Sequence, residues 1–231
     1  MPDRIKDIEI NKCIGIDLGL NNLVTITDNA GNQPIVINGK PIKSINHKFN
    51  KVKSKCQSKL QKRNKLYTSY QFEALYRNRG NKIKDYLHKT SKFIINHCST
   101  NHIDTIIIGY NKQWKDEINI GRKNNQNFVS IPFYQLVKQI EYKAENEGIQ
   151  VILTEESFTS GCSFLDNEPL TREYYNKSRR VKRGLFKSNN GKLINSDVNG
   201  SYNIIKKVIP NVFDCIVNNG IKGVSLHPVI M

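Results

Sequence analysis

The chain has 231 residues, 38% hydrophobic and 9% aromatic, enough to bury one domain and too many for a disordered tail. Lysine and arginine total 36 against 20 acidic residues, a formal charge of +16. An excess of this size points to a polyanionic partner, nucleic acid before an anionic membrane surface. No apolar run approaches the length of a membrane span, and the charged start MPDRIKDIEINK has no apolar signal-peptide segment. The five scattered cysteines form no CxxC pair, which argues against a disulfide framework and a four-cysteine zinc site. The expected location is the cytoplasm, in association with the nucleoid.

In chain order, Ile8–Ile10 lead into Ile14–Leu18, and Leu23–Thr27 reads as the return strand of a hairpin. Pro34–Ile37 reads as a third short strand. Asp17 lies amid the apolar residues of the first strand, between Gly15 and Gly19. A carboxylate there is costly unless it is paired or binds a metal.

Residues 46–98 change character. Phe49, Val52, Cys56 and Leu60 recur at helical spacing within a densely basic run, and Ile83, Leu87, Phe93 and Ile94 mark a second helix. Asn78–Asn81 reads as the loop between them, giving a basic helical hairpin. Glu73 and Asp85 are the only acids between Lys48 and Lys92, so internal ion pairing cannot account for the charge. Lys59, Lys62 and Arg63 are expected to touch phosphate.

Asp104–Gly109 is a continuous apolar run, as expected for a doubly covered strand. The polar stretch Tyr110–Phe128 reads as a loop in which Arg122 and Lys123 are candidate phosphate contacts. Ile131–Glu147 reads as a helix and Ile149–Thr154 as another buried strand, giving a parallel pair. That strand ends in Glu155-Glu156, where sites form in α/β sheets. Adjacent strand residues point to opposite faces, so at most one glutamate shares a face with Asp17. Residues 160–192 read as a basic loop carrying Arg179, Arg180, Lys182 and Arg183. Ser196 or Asp197 can cap a following helix, and residues 210–231 read as a loosely packed tail.

Asp17, Glu155 or Glu156, and Asp197 come from separated segments of a basic chain. Such a set points to a Mg²⁺ or Mn²⁺ site acting on a phosphodiester.

The segment GIDLGLNNLVTITD resembles the first RuvC motif of TnpB (OrfB-type) proteins of bacterial insertion sequences, relatives of type V CRISPR nucleases, with Asp17 on the metal-binding aspartate. SDVNGSYNI resembles the third motif, with Asp197 on its aspartate. EYKAENEGIQVILTEESFTS resembles the helix and strand leading to the family's TS-containing turn. The resemblance implies an RNase H-like (RuvC) α/β fold with a mixed five-stranded sheet, flanking helices and the basic hairpin at 46–98 inserted in one domain over 1–231. It also implies a divalent-metal-dependent DNA endonuclease acting in transposition, RNA-guided in full-length relatives.

The chain departs from the family in three ways. Gly109 stands where most members carry the second-motif glutamate. Glu155 is the preferred substitute, with Asp17 and Asp197, and Glu156 remains a candidate ligand. Only Cys162 stands where many members have a zinc ribbon, so no zinc is expected. The chain also starts almost at the first motif, whereas full-length members have a preceding part that binds guide RNA and opens DNA. Expected partners are DNA and a guide RNA, with no membrane. The alternatives are a truncated, catalytically inactive DNA- or RNA-binding remnant and, less favoured, a strand-joining transposase.

Overall fold

The computed structural model describes residues 10–64, 67–111, 131–213 and 226–231, with the side chains of 63 and 64 excepted. The expected strand at 8–10 and the stretch holding Arg122 and Lys123 fall wholly or largely outside them.

The first three strands form as the pattern predicts: β1 (Cys13–Leu18), β2 (Asn22–Asp28) and β3 (Ile35–Asn38), a meander of antiparallel pairs. The apolar run at 104–109 becomes β4 (Thr105–Gly109), parallel to β1, and β5 (Gln150–Thr154) pairs parallel with β4. The expected five-stranded mixed sheet is therefore present, in the order β5-β4-β1-β2-β3.

The helical hairpin is longer than expected. Its helices are α1 (Lys40–Asn64) and α2 (Tyr70–Asn101). Ser69 caps α2 by accepting from Phe72 N at 3.2 Å. The helix then runs through Asn78–Asn81, where the sequence points to a loop. Glycine costs a helix interior only about 1 kcal/mol, and tertiary contacts outweigh that here. Phe49 meets Tyr76 edge-on at 4.9 Å, and the Arg79 guanidinium lies 5.1 Å from the Phe49 ring centre. Arg79 Nε also donates to Asn46 Oδ1 at 2.7 Å.

Two cores lie on opposite faces of the sheet. On one, Ile14, Ile16, Ile106 and Ile108 pack with Leu87, Ile94 and Ile95 of α2 and with Leu136, Val137 and Ile140 of α3 (Phe133–Asn146). On the other, Cys13, Ile107 and Ile152 pack with Val198, Tyr202, Ile204 and Ile205 of α4 (Ser196–Val208). This second helix lies very close to β1: a methyl group on Gly15 would stand 2.5 Å from the Ser201 carbonyl oxygen. Ser201 Oγ donates to Gly15 O at 2.8 Å.

Residues 160–192 are more ordered than the sequence indicates. A short 3-10 turn (Lys177–Arg179) leads into a small antiparallel sheet of β6 (Arg180–Lys182), β7 (Leu185–Lys187) and β8 (Leu193–Asn195). Phe186 and Ile194 anchor it in the second core. The C-terminal tail also differs from expectation. Phe213 is buried, and β9 (Val229–Ile230) adds a sixth strand, parallel to β3.

Candidate active site

Alternation along the strands sets the chemistry. Ile14, Ile16, Ile106 and Ile108 point into the first core, so Gly15, Asp17, Ile107 and Gly109 share the face that α4 covers. On β5, Ile152 lies on that same face. Counting on by twos passes Thr154, paired with Gly109, and reaches Glu156.

Glu156 is indeed the residue turned toward Asp17. A methyl group on Gly109 would stand 2.5 Å from Glu156 Oε1 and 2.7 Å from its Cγ. The Glu156 side chain thus fills the space that a side chain at 109 would occupy. Its backbone is fixed on both sides: Glu156 N donates to Asn111 Oδ1 at 3.0 Å, and Thr159 Oγ1 donates to Glu156 O at 2.8 Å. Glu155 faces solvent. The preference for Glu155 is therefore not supported by placement, because parity puts its side chain on the opposite side.

Asp197 reaches the site because it is not the helix cap. Asn195 is, accepting from the backbone N–H groups of Asp197 (2.9 Å) and Val198 (3.2 Å). Neither Ser196 nor Asp197 takes the expected capping role. Asp197 Oδ2 instead accepts from Asn22 Nδ2 at 2.7 Å. One turn on, Gly200 lets α4 come down on the acid: a methyl group there would stand 2.9 Å from Asp17 Oδ2.

The electrostatics follow from this crowding. Burial pushes the Asp17 carboxyl well above the usual range; Glu156 and then Asp197 push it further, and Arg180 opposes them. Burial likewise raises Glu156 to about 8, against a lowering pull from Lys207. Lys207 Nζ donates to Ser157 Oγ at 2.6 Å, which holds its charge beside the glutamate. Glu156 Oε1 is buried and has no hydrogen-bond partner among the described residues. Among the described residues, no group of three or more His, Cys, Asp or Glu stands ready-assembled to hold a metal ion.

The basic candidates divide. Arg180, on β6, is exposed yet within electrostatic reach of Asp17. Lys182 and Arg183 are exposed beyond it, and Lys59 and Lys62 are exposed on α1. Arg179 has a structural partner instead: its Nη1 lies 2.7 Å from each oxygen of the buried Glu168. Glu168 also accepts from Ser163 N at 2.7 Å and Asn189 Nδ2 at 3.1 Å. This polar knot ties the small sheet to the loop before it. Asn22, Asn111 and Lys207 escaped the sequence reading, since lone amides and a helix-end lysine carry no motif signal.

Two family models match the chain. One, described as probable transposase of the OrfB_IS605 type, covers residues 1–115. The other, the Cas12f1-like TNB domain, covers residues 133–204. The chain belongs to the TnpB (OrfB-type) family. No curated protein sequence matches. Among solved structures, a Cas12f1–sgRNA–target DNA complex is similar at TM-score 0.61 and 18% identity, over 85% of this chain and 51% of that one. A CRISPR-Cas12f ternary complex is similar at TM-score 0.64 and 18% identity, over 88% and 40%. The chain thus spans about half the length of these structures or less. With the sheet order, the likeness makes the fold of this TnpB-type chain RNase H-like. No helix among its described residues is long and apolar enough to cross a membrane.

RuvC-like nucleases generally use divalent metals, and the residues present fit one. Their donors are carboxylate oxygens, which suit Mg²⁺ or Mn²⁺. The orphaned Glu156 Oε1 beside Asp17 is a buried acceptor that a cation would satisfy.

Proposed function

We propose that this chain is a divalent-metal-dependent endonuclease acting on DNA, with Asp17 and Glu156 as the inner pair of metal ligands and Asp197 as the third. The placement of Glu156 in the volume above Gly109, with its buried oxygen unpartnered, carries the reading. The carboxylate that most members take from β4 is here supplied by the neighbouring strand.

A bound Mg²⁺ or Mn²⁺ would polarise the scissile phosphate and make a coordinated water acidic. The protein's own groups prepare for it. Burial favours the protonated form of Glu156, and a cation held there would favour its carboxylate form. Asn22 fixes the orientation of the Asp197 carboxylate. Lys207 offsets part of the charge at Glu156. Arg180, exposed at the edge of the acid cluster, is placed to bind a non-bridging phosphate oxygen. Lys182 and Arg183 extend that cationic edge and hold the strand. Guide RNA and a role in transposition fit the family and the Cas12f likeness.

Cleavage of end-labelled single-stranded DNA in Mg²⁺ or Mn²⁺ tests this. Wild type and Glu155→Ala should cut, whereas Asp17→Ala and Glu156→Ala should not. Turnover that survives Asp17→Ala would sink the proposal. Tight, salt-sensitive binding with no metal-dependent turnover would favour the inactive binding remnant.

A further inference from the structure

Away from the acids, the hairpin carries a surface that the nuclease reading does not use. Lys48, Lys51, Lys55, Lys59 and Lys62 follow one another at intervals of three or four residues along α1, so they form one stripe. All five are exposed, and α1 contains no acidic residue. At about 1.5 Å per residue, neighbouring charges on the stripe rise about 5 Å apart along the axis.

Two aromatic side chains stand at the level of the distal half of this stripe. Tyr67, in the connection, is 83% exposed, and Tyr70, at the start of α2, is 78% exposed; no other large hydrophobic side chain among the described residues is as open. The register explains their position. Asn46 meets Arg79 and Phe49 meets Tyr76, which carries Tyr70 to about the level of Lys55. The Tyr70 ring has Arg77 6.0 Å from its centre, so a cation already stands at its side. Further down the hairpin the aromatic residues behave differently: Phe49 and Phe72 are buried and Tyr76 packs against both.

We propose that this end of the hairpin is a docking platform for single-stranded nucleic acid, with bases stacked on Tyr67 and Tyr70 and phosphates on the lysine stripe. The inference rests on the nucleic-acid partner proposed above but not on cleavage. Unpaired bases offer the faces that open tyrosine rings take, and an all-cationic stripe complements a phosphate backbone. A duplex hides its base faces, and an acidic protein segment has no use for stacking.

The test is binding of dye-labelled oligothymidylate, oligouridylate and a blunt DNA duplex, read by fluorescence anisotropy in EDTA so that metal chemistry plays no part. For Tyr67→Ala/Tyr70→Ala, single-strand affinity should fall about tenfold or more, while duplex affinity and the slope against salt stay unchanged. Tyr67→Phe/Tyr70→Phe should bind as wild type does. Lys55→Gln/Lys59→Gln should lower the salt slope by about 1.4. Tyrosine dependence with oligothymidylate alone assigns the platform to DNA, and with oligouridylate alone to RNA. An alanine variant that binds single strands like wild type overturns the proposal, as does equal weakening on duplex. So does a wild-type dimer that the alanine pair makes monomeric in sedimentation, since the tyrosines would then be a protein interface.

Discussion

Glu156 occupies the side-chain space of Gly109: with 2.5 Å between Oε1 and a methyl group at 109, the two positions cannot both carry a side chain in this arrangement. A methyl group at 109 would also stand 2.6 Å from Ile204 Cδ1, so position 109 is closed to a side chain unless Glu156 and Ile204 move. Gly109→Ala should displace Glu156 and depress metal-dependent cleavage nearly as much as Glu156→Ala. Gly109→Glu combined with Glu156→Ala should recover part of the activity lost in either single variant. Cleavage assays on wild type, Gly109→Glu, Glu156→Ala and the double variant measure this coupling directly, and additive losses would mean that the positions are independent.

Stability should depend on pH through the same pair. Glu156 is raised from 4.5 to about 8, and Asp17 is also raised, so the folded state holds protons that the unfolded state has released. The stabilising contribution of Glu156 is complete below about pH 4.5 and is lost as pH rises through about 8, and Asp17 acts in the same direction. In EDTA, Tm should fall across that window more steeply in wild type than in Glu156→Gln. Adding Mn²⁺ at the upper end should restore wild type and leave the variant unchanged.

Gly80 sits inside α2, and beyond the local helix backbone no atom of the described residues lies within 4 Å of where a methyl group would point. Gly80→Ala should therefore stabilise the fold by about 0.5–1 kcal/mol, since alanine removes backbone freedom without a clash. A denaturant midpoint that moved down would show that the helix needs the glycine.

Arg179 and Arg180 are adjacent in sequence and predicted to differ in role. Glu168→Ala should destabilise the fold by about 3–5 kcal/mol, because it strands the mostly buried Arg179 charge. Arg180→Ala should leave the unfolding free energy within about 0.5 kcal/mol of wild type, as an exposed surface substitution does. It should reduce cleavage instead. Thermal melts and cleavage rates on the two variants separate the roles.

Much of the architecture was legible because it rests on local pattern. The alternating runs of β1, β2 and β3, the continuous apolar run of β4 and the amphipathic α3 all appear within a few residues of their expected bounds. What escaped depends on contacts distant in sequence. Asn78–Asn81 reads as a turn on propensity, yet Arg79 is held by Asn46 and Phe49 on the facing helix. Arg179 reads as one of four free cations until Glu168 folds onto it. Asp197 reads as a cap until Asn195 takes that role. The choice between Glu155 and Glu156 turns on parity: once Ile152 is known to share the Asp17 face, so must Glu156. The sequence alone cannot say which face Ile152 takes, because β5 is apolar throughout its middle.

The claim that Asp17 and Glu156 form the heart of a metal centre is tested most directly by Mn²⁺ titration calorimetry on the purified protein, which needs neither guide nor substrate. Wild type and Glu155→Gln should bind Mn²⁺ alike, with proton release near neutral pH, while Asp17→Asn and Glu156→Gln should show little or no binding heat. Full Mn²⁺ binding by Glu156→Gln, or its loss in Glu155→Gln, would contradict the assignment and move the centre to the other glutamate.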